Sequence, residues 1–281
     1  MKLGLVLEGG AMRGVFTAGI LDVFLDRNLE FDDCYGVSAG ACLACSYLCR
    51  QKGRGYAVMT DYLGNKDYCS LSSLIRTGDL FGAEFLYHTI PEQLYPIDNV
   101  SFHENKTAFH CVVTNCVSGR AEYPIVSDMF SDVDLIRASS SLPLVSRMVE
   151  IQGVPYLDGG IADPIPVREA LAQGCDRVVV ILTRERTFRK EKEKTLPLIR
   201  VKYRNYPNLI KAMEARHEAY NASLELISCL ERDGTALVLA PTEPLKIRRT
   251  EKDLQILQRG YDTGRDHALK ELPRIRAFLG Y

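Results

Sequence analysis

A serine flanked by glycines carries the clearest chemical signal in the chain. Ser38 lies in the segment GVSAG, residues 36–40, between a strand-like run at 31–35 and a helix-like run at 41–47. A serine on a sharp strand-to-helix turn holds its hydroxyl exposed at the edge of a sheet, and the flanking glycines allow the turn to close tightly. The sequence therefore makes Ser38 a candidate nucleophile for acyl transfer.

A glycine pair, Gly9-Gly10, directly follows the first strand-like run and leads into a helix-like run. Such a turn leaves backbone N–H groups unpaired at one place, and the helix dipole adds positive potential there. The turn is therefore predicted to bind an anion. Two anions suit it: the oxyanion of a tetrahedral intermediate, or the pyrophosphate of a dinucleotide.

The dinucleotide interpretation depends on residues 9–14, GGAMRG, which are one substitution away from the G-x-G-x-x-G fingerprint. That fingerprint also requires an acidic residue near the carboxyl end of the second strand. Asp32 and Asp33 have the right separation in sequence, but they begin that strand. We favour the oxyanion, because the carboxyl ends of neighbouring parallel strands share one edge, which would bring the glycine turn and Ser38 to one crevice.

A serine hydroxyl is a weak nucleophile until a base accepts its proton. In the chain order Ser, Asp, His, either His217 or His267 could complete a triad, but both fall within amphipathic helical patterns, which favours a packing or surface role. Asp158 follows a strand-like run and precedes two glycines. A carboxylate in a partly dry pocket becomes a stronger base, so Asp158 is the favoured partner of Ser38.

The composition and the cysteines bound the class of protein. The 281 residues are 46% hydrophobic and 25% charged, and their net charge of −1 argues against a nucleic-acid ligand. Nine cysteines, an odd number, indicate reduced thiols. The spacing of Cys42, Cys45 and Cys49 places three thiols on one helix face, but no fourth metal ligand is signalled, which favours packing in the core.

Neither a leader nor a membrane span is predicted. The apolar run that begins MKLGLVLEGG is shorter than the core of a signal peptide, and no run approaches the roughly 18 apolar residues of a membrane helix. We therefore expect a cytoplasmic protein that contacts a membrane, if at all, peripherally and from the inner face.

Short apolar runs alternate with helical patterns, which is typical of a layered α/β domain with a mostly parallel sheet. The predicted strands cover residues 3–7, 31–35, 108–114, 148–151 and 177–182, with a further edge strand at 236–239. The predicted helices cover residues 13–26, 38–50, 132–138 and 167–173.

The character of the chain changes after Thr183. Residues 184–197 are charged and poor in apolar side chains, which predicts an exposed linker. From Arg184 to Arg216, 11 Lys or Arg residues accompany 4 Glu residues. Attraction to anionic lipid is one interpretation of this excess, and the interleaved glutamates favour the other, a solvated surface.

Two long amphipathic helices are predicted beyond this linker. Their apolar positions recur at helical spacing: 209, 213, 220, 224 and 227 in the first, and 254, 257, 261, 272, 275 and 279 in the second. A capping box at Thr250 and Asp253 is predicted to precede the second helix, and Gly280 to terminate it. We expect residues 1–183 to form the core, and residues 184–281 to form a basic linker and helical region docked on that core or on a second subunit.

Four segments in order give the chain a family resemblance. It resembles the small, bacterial type of patatin-like phospholipase in GGAMRG (9–14), GVSAG (36–40), ASSSLP (138–143) and DGG (158–160). The resemblance implies a three-layer α/β/α core, a Ser38 nucleophile with Asp158 as its base and no histidine, lipid acyl esters as substrates, and neither metal nor cofactor. It further implies an oxyanion hole from the backbone of Gly9, Gly10 and Ala11.

Two positions depart from the pattern of that family. Ala11 stands where a third glycine is more common, although a backbone N–H can still donate from alanine if its dihedral angles permit. Asp163 stands where the family often has Asn. Arg13 is a further candidate, either as a contact for a phosphate head group or as a solvated helix residue.

The expected function is a serine esterase that hydrolyses lipid or phospholipid acyl esters through a Ser-Asp dyad and an acyl-enzyme. Two alternatives remain open at this stage. One is an acyltransferase that uses the same dyad with an acceptor other than water. The other is a non-catalytic nucleotide-binding or scaffold protein.

Overall fold

A mixed nine-stranded sheet forms the centre of the computed structural model, which describes residues 1–280. Its strands, in chain order, are β1 (Leu3–Leu7), β2 (Asp33–Val37), β3 (Ala108–Asn115), β4 (Ala121–Glu122), β5 (Ile125–Val126), β6 (Val149–Ile151), β7 (Val154–Asp158), β8 (Arg177–Ile181) and β9 (Ala236–Leu239).

The central part of the sheet is parallel. The strand order is β6-β7-β3-β2-β1-β8-β9, and the five strands from β3 to β9 in this order run parallel to their neighbours. β7 pairs antiparallel with β3, and β6 with β7. Leu7 pairs with Gly36, so the loops that leave β1 and β2 emerge side by side at one edge.

Helices cover both faces of this sheet. They are α1 (Gly14–Asp26), α2 (Ala39–Leu48), α3 (Arg54–Thr60), α4 (Leu71–Thr77), α5 (Asn99–Glu104), α6 (Val133–Ser139), α7 (Val167–Ala172), α8 (Leu196–Lys202), α9 (Pro207–Arg232) and α10 (Leu254–Leu279), with a π-helical segment at Phe85–Leu94.

Successive side chains along each strand point to opposite faces of the sheet, and this alternation divides the core into two layers. Leu5 and Leu7 of β1 pack in one hydrophobic cluster with α1, α2 and α10, and Val6 packs in another with α7 and α9. This is the period-2 pattern of a strand that is buried on both sides. The predicted three-layer α/β/α fold with a mostly parallel sheet and C-terminal helices is confirmed.

Several predicted bounds differ from the structure. The second strand was expected at 31–35 but runs from Asp33 to Val37, because Tyr35, Gly36 and Val37 continue the pairing with β3. Thr250 does not cap α10. The side chain of Asp253 does, accepting hydrogen bonds from the N–H groups of Gln255 and Ile256. The expected terminator Gly280 does follow the helix, with a φ of 85°.

The first and last long helices cross at very close range. A Cβ atom on Gly19 of α1 would lie 2.2 Å from the carbonyl oxygen of Tyr261, and one on Gly264 of α10 would lie 2.1 Å from that of Phe16. The Tyr261 hydroxyl donates to Asp22 at 2.6 Å. The two helices can approach this closely only because glycine stands at the crossing.

We expect Gly264→Ala to destabilise the fold by about 1–3 kcal/mol, because the new methyl group must push α10 away from backbone atoms of α1. Gly64→Ala is the matched control, since its Cβ would have no neighbour within 4 Å. Urea unfolding measures both. Equal midpoints for the two variants would show that the crossing tolerates the methyl group.

Candidate active site

Ser38 lies on a sharp turn between β2 and α2. Its φ of 55° and ψ of −125° are strained for a residue with a side chain. A Cβ on Gly36 would lie 2.6 Å from Cα of Ala41, and one on Gly40 would lie 2.5 Å from the carbonyl oxygen of Leu7. Both flanking glycines are thus required by close contacts, as the sequence pattern indicated.

The turn is held from a third element. The backbone N–H of Ser38 donates to the hydroxyl of Ser139 at 2.9 Å, which belongs to the last turn of α6. The backbone N–H of Asp158 donates to the carbonyl oxygen of Ser141 at 2.9 Å. The segment after α6 therefore connects the serine turn to the end of β7.

Asp158 ends β7 and is only 2% exposed. Its Oδ1 accepts a hydrogen bond from the N–H of Gly160 at 2.8 Å, whereas its buried Oδ2 has no hydrogen-bond partner of ordinary geometry. Burial raises the pKa of this carboxyl group, and the Arg216 guanidinium and the Ser38 hydroxyl partly oppose the increase. The free oxygen is the one available to accept a proton.

The glycine turn lies directly against Ser38. A Cβ on Gly9 would be 2.8 Å from Cβ of Ser38 and 3.6 Å from its Oγ. Within residues 1–280, the N–H groups of Gly9, Gly10 and Ala11 donate to no other protein group. Ala11 has a φ of 48°, so it adopts the left-handed conformation that glycine adopts more easily.

Two pockets meet at Ser38. The polar pocket, about 60 Å³, is lined by Ser38, Asp158, the glycine turn and several basic side chains. The apolar pocket, about 170 Å³, is lined mainly by hydrophobic side chains that include Met12, Leu43, Met59, Leu86, Ile90 and Ile136. Ala11, Ser38 and Leu142 line both pockets. A bound ester could therefore extend in two chemically different directions from Ser38.

The rival candidates from the sequence lie elsewhere. The His267 ring packs 6.0 Å from that of Phe16, and His217 lies near Glu218 on α9. Neither histidine lines the polar pocket. Asp33 contacts Lys2 at 2.6 Å at the amino end of β2, so the acidic group that a dinucleotide would need is at the opposite edge from the glycine turn.

The cysteines and Asp163 have structural surroundings. Cys45 and Cys49 are buried in the core, and Cys42 contacts the hydroxyl of Ser140 at 3.3 Å. No cluster of metal-ligating side chains occurs in residues 1–280. Asp163 accepts a hydrogen bond from the Tyr123 hydroxyl at 2.7 Å, and burial raises the pKa of its carboxyl group.

Sequence reasoning missed the residues that close the polar pocket. Glu8 accepts hydrogen bonds from the N–H of Thr183 at 2.6 Å and from the hydroxyl of Tyr220 at 2.7 Å. It thereby ties the glycine turn to β8 and α9. The only signal in the sequence was a charged residue that ends a buried apolar run. Lys190, Arg216 and Arg249 also line the pocket.

Arg13, the predicted head-group contact, lines the same pocket. Its Nε is buried without a hydrogen-bond partner. Burial and the nearby Arg184 lower the pKa of Arg13 to about 10. Arg13 is therefore a half-buried cation beside the glycine turn rather than a freely solvated helix residue.

The fold and the site together define an α/β protein with a serine on a sharp, glycine-flanked turn between a strand and a helix. A buried aspartate and a glycine turn whose N–H groups have no hydrogen-bond acceptor among the described residues lie beside this serine. The comparisons with known proteins identify this class. The model of the family described as Patatin-like phospholipase matches residues 5–171, more than half of the chain, and the protein belongs to that family. A second family model, a domain of unknown function (DUF6363), matches residues 206–280.

Several known proteins are similar in sequence to this chain. The uncharacterized protein YjjU of Escherichia coli is 34% identical over 187 residues, which are 65% of this chain and 52% of YjjU. Lysophospholipase NTE1 of Candida glabrata is 26% identical over 185 residues, 64% of this chain and 10% of NTE1. The probable lipid hydrolase 463L of Invertebrate iridescent virus 6 is 24% identical over 187 residues, 59% of this chain and 62% of that protein. The chain thus spans about half the length of YjjU and a tenth of NTE1.

A solved structure is similar in fold. The crystal structure of VipD from Legionella pneumophila has a TM-score of 0.50 at 14% sequence identity, covering 97% of this chain and 67% of VipD. No helix within residues 1–280 combines the length and the apolar character needed to cross a bilayer.

Proposed function

We propose that this protein hydrolyses acyl esters of lipids or phospholipids, with Ser38 as nucleophile and Asp158 as base. The observation that carries the proposal is one shared pocket: the Ser38 hydroxyl and the buried Asp158 carboxylate line it together with the turn that holds three unpaired N–H groups. Relatives named lysophospholipase and probable lipid hydrolase support the same class of substrate.

In the proposed reaction, the free Oδ2 of Asp158 accepts the proton of Ser38 as Oγ attacks the ester carbonyl. The N–H groups of Gly9, Gly10 and Ala11 stabilise the resulting oxyanion, and loss of one such donor typically raises the barrier by about 2.7–4 kcal/mol. The proton passes to the leaving alcohol, which leaves an acyl group on Ser38. Water, deprotonated by Asp158, then releases the fatty acid and regenerates the serine.

The raised pKa of Asp158 supports its role as the base. A general base works best when its pKa lies nearer to the working pH than that of an ordinary carboxylate. Burial provides that shift here. The apolar pocket provides a dry surface for the acyl chain at the other side of Ser38.

A fluorophosphonate probe tests the nucleophile directly. We expect it to label the wild type at a single serine, identified as Ser38 by peptide mass spectrometry, because the activated hydroxyl alone attacks phosphorus at a useful rate. Ser131→Ala, which changes an exposed hydroxyl outside the pocket, should label like the wild type. A folded wild type that does not label, or that labels at another serine, would contradict the proposal.

A further inference from the structure

The polar pocket holds an unusual concentration of positive charge. Four basic side chains line it, Arg13, Lys190, Arg216 and Arg249, together with only two carboxylates, Glu8 and Asp158. Even if both carboxylates are ionised, the excess is two positive charges. This pocket adjoins the proposed nucleophile, so the charge acts on whatever binds there.

None of the four cations forms a contact ion pair with a described residue, although Glu8 attracts Arg13 and Asp158 attracts Arg216 at longer range. Among the described residues 1–280, no carboxylate oxygen lies within 4.0 Å of a side-chain nitrogen of any of them. The oxygens of Glu8 are occupied by Tyr220 and Thr183, and one oxygen of Asp158 is occupied by the N–H of Gly160. The positive potential of the pocket is therefore available to a ligand.

The individual contacts of these cations leave donors unused. Arg216 donates through Nε to the carbonyl oxygen of Gly160 at 2.6 Å, and the Nε of Arg13 has no partner. The Lys190 ammonium lies 5.1 Å from the centre of the Tyr220 ring. Burial lowers the pKa of Lys190 to about 8, and the nearby Arg216 and Arg249 act in the same direction, whereas Glu8 opposes them.

Three of the four cations come from the chain beyond the patatin-like match at 5–171. Arg216 is on α9 and Arg249 precedes α10, both within the second match at 206–280. Lys190 and Arg216 also belong to the basic stretch whose sequence favoured a solvated surface. That interpretation is wrong for these two side chains, although other members of the stretch, such as Arg186 and Arg200, form surface ion pairs with Glu231 and Glu214.

We propose that the polar pocket binds the phosphate of an anionic lipid ester, with Lys190, Arg216 and Arg249 of the C-terminal region completing a head-group site that Arg13 begins. The inference rests on the proposed esterase function, because it places the ester carbonyl at Ser38, between the phosphate and the acyl chain in the apolar pocket. Arginine and lysine donors bind phosphate oxygens by charge-assisted hydrogen bonds. The preferred substrates are therefore phosphate-bearing lysolipids and phospholipids rather than neutral glycerides.

The kinetic test compares two esters that differ only in the phosphate: a monoacylglycerol 3-phosphate and the monoacylglycerol with the same acyl chain. We expect the wild type to prefer the phosphate ester in kcat/KM. Lys190→Gln and Arg249→Gln should each lower that preference about tenfold, the effect of losing one charged hydrogen bond. Lys192→Gln, an equal change of charge two residues from Lys190 and outside the pocket, should keep the preference.

A wild type that hydrolyses both esters with the same kcat/KM would overturn the inference while leaving the esterase function intact. An equal loss of preference in Lys192→Gln would also overturn it, because the effect would then come from general surface charge. Since Arg249 is exposed, its variant is expected to fold even if Lys190→Gln does not.

A binding test that needs no catalysis separates the two proposals. Inorganic phosphate and glycerol 3-phosphate should each raise the Tm of the wild type and of Lys192→Gln, and raise it less in Lys190→Gln and Arg249→Gln. Stabilisation by these anions in a protein that hydrolyses no ester would refute the esterase function and the lipid assignment together. Stabilisation combined with hydrolysis that ignores the phosphate would assign the pocket to a free anion and refute the head-group role.

Discussion

Ser38→Ala is expected to lower kcat for lipid esters by about 10⁴-fold or more, because the other hydroxyls near the glycine turn, those of Thr183 and Tyr220, donate hydrogen bonds to Glu8. The fold should persist, since the Ser38 contact that ties the turn to α6 is made by its backbone N–H rather than by its hydroxyl. Alanine has a Cβ atom as serine does, so the variant has to adopt the same strained backbone conformation at position 38 and no new strain is added. The measurement is steady-state hydrolysis of a lysophospholipid alongside a thermal unfolding curve.

Two control variants make the Ser38 result specific. Ser131→Ala removes an exposed hydroxyl outside both pockets and should retain the wild-type rate. His217→Ala removes one of the two histidines that the chain order Ser, Asp, His allows, and it too should remain active, because His217 does not line the polar pocket. A His217 variant that loses activity while an Asp158 variant keeps it would refute the proposed dyad.

Asp158→Asn is expected to combine a loss of activity with a gain in stability. The amide cannot accept the serine proton, so kcat should fall by about 10³- to 10⁴-fold. The same change removes a buried charge whose raised pKa shows that the fold disfavours the ionised form. The Tm of the variant should therefore exceed that of the wild type at neutral pH.

The pH dependence of that difference follows from linkage. A carboxyl group whose pKa is raised in the folded state stabilises the protein at low pH, where it is protonated, and this contribution is lost as the pH rises through the folded pKa. The Tm advantage of Asp158→Asn should thus be small in acid and should grow as the pH rises through that value. A lower Tm for the variant at neutral pH would indicate that the Arg216 guanidinium outweighs the desolvation of Asp158.

Activity should also depend on the protonation of Asp158, but it requires the ionised form, whereas stability is favoured by the protonated form. The proposed mechanism requires ionised Asp158, so kcat/KM should fall as the pH decreases through the pKa of this group, at a higher pH than an ordinary aspartate would give. The residual activity of Asp158→Asn should lack this acid limb. An acid limb unchanged in the variant would assign it to another residue.

Much of the sheet could be predicted from the sequence because its strands are short apolar runs followed by turns. β1 and β9 occupy the predicted residues, and the glycines on either side of Ser38 correctly predict a tight turn there. The start of β2 was harder to predict, because Phe31 favours a strand although the pairing with β3 begins at Asp33. The helix after β2 was predicted at 38–50 and is observed as α2, whereas α3, α4, α5 and the π-helical segment with Pro91 have no comparable repeat of apolar positions.

The pocket's basic side chains could not be predicted in the same way. Lys190 is followed by alternating Glu and Lys residues, which is the pattern of a solvated surface, and only the tertiary fold turns this one side chain toward the Tyr220 ring. Arg216 lies 58 positions beyond Asp158, and nothing in its helical spacing distinguishes it from its exposed neighbours. The turns of this site can be predicted from short local sequence patterns. Its positive charge cannot, because the basic side chains are brought together by packing between segments that are distant in sequence.

The glycine crossing of α1 and α10 also constrains how the protein is made. Asp22 and Tyr261 are 239 positions apart, which at ordinary rates of ribosomal synthesis is a delay of roughly 10–50 s. During that interval the nascent chain exposes the apolar face of α1 that α10 will later cover. We therefore expect chaperones to bind this face, and we expect aggregation when translation stalls before α10, because the two helices that the glycine contact joins are far apart in the chain.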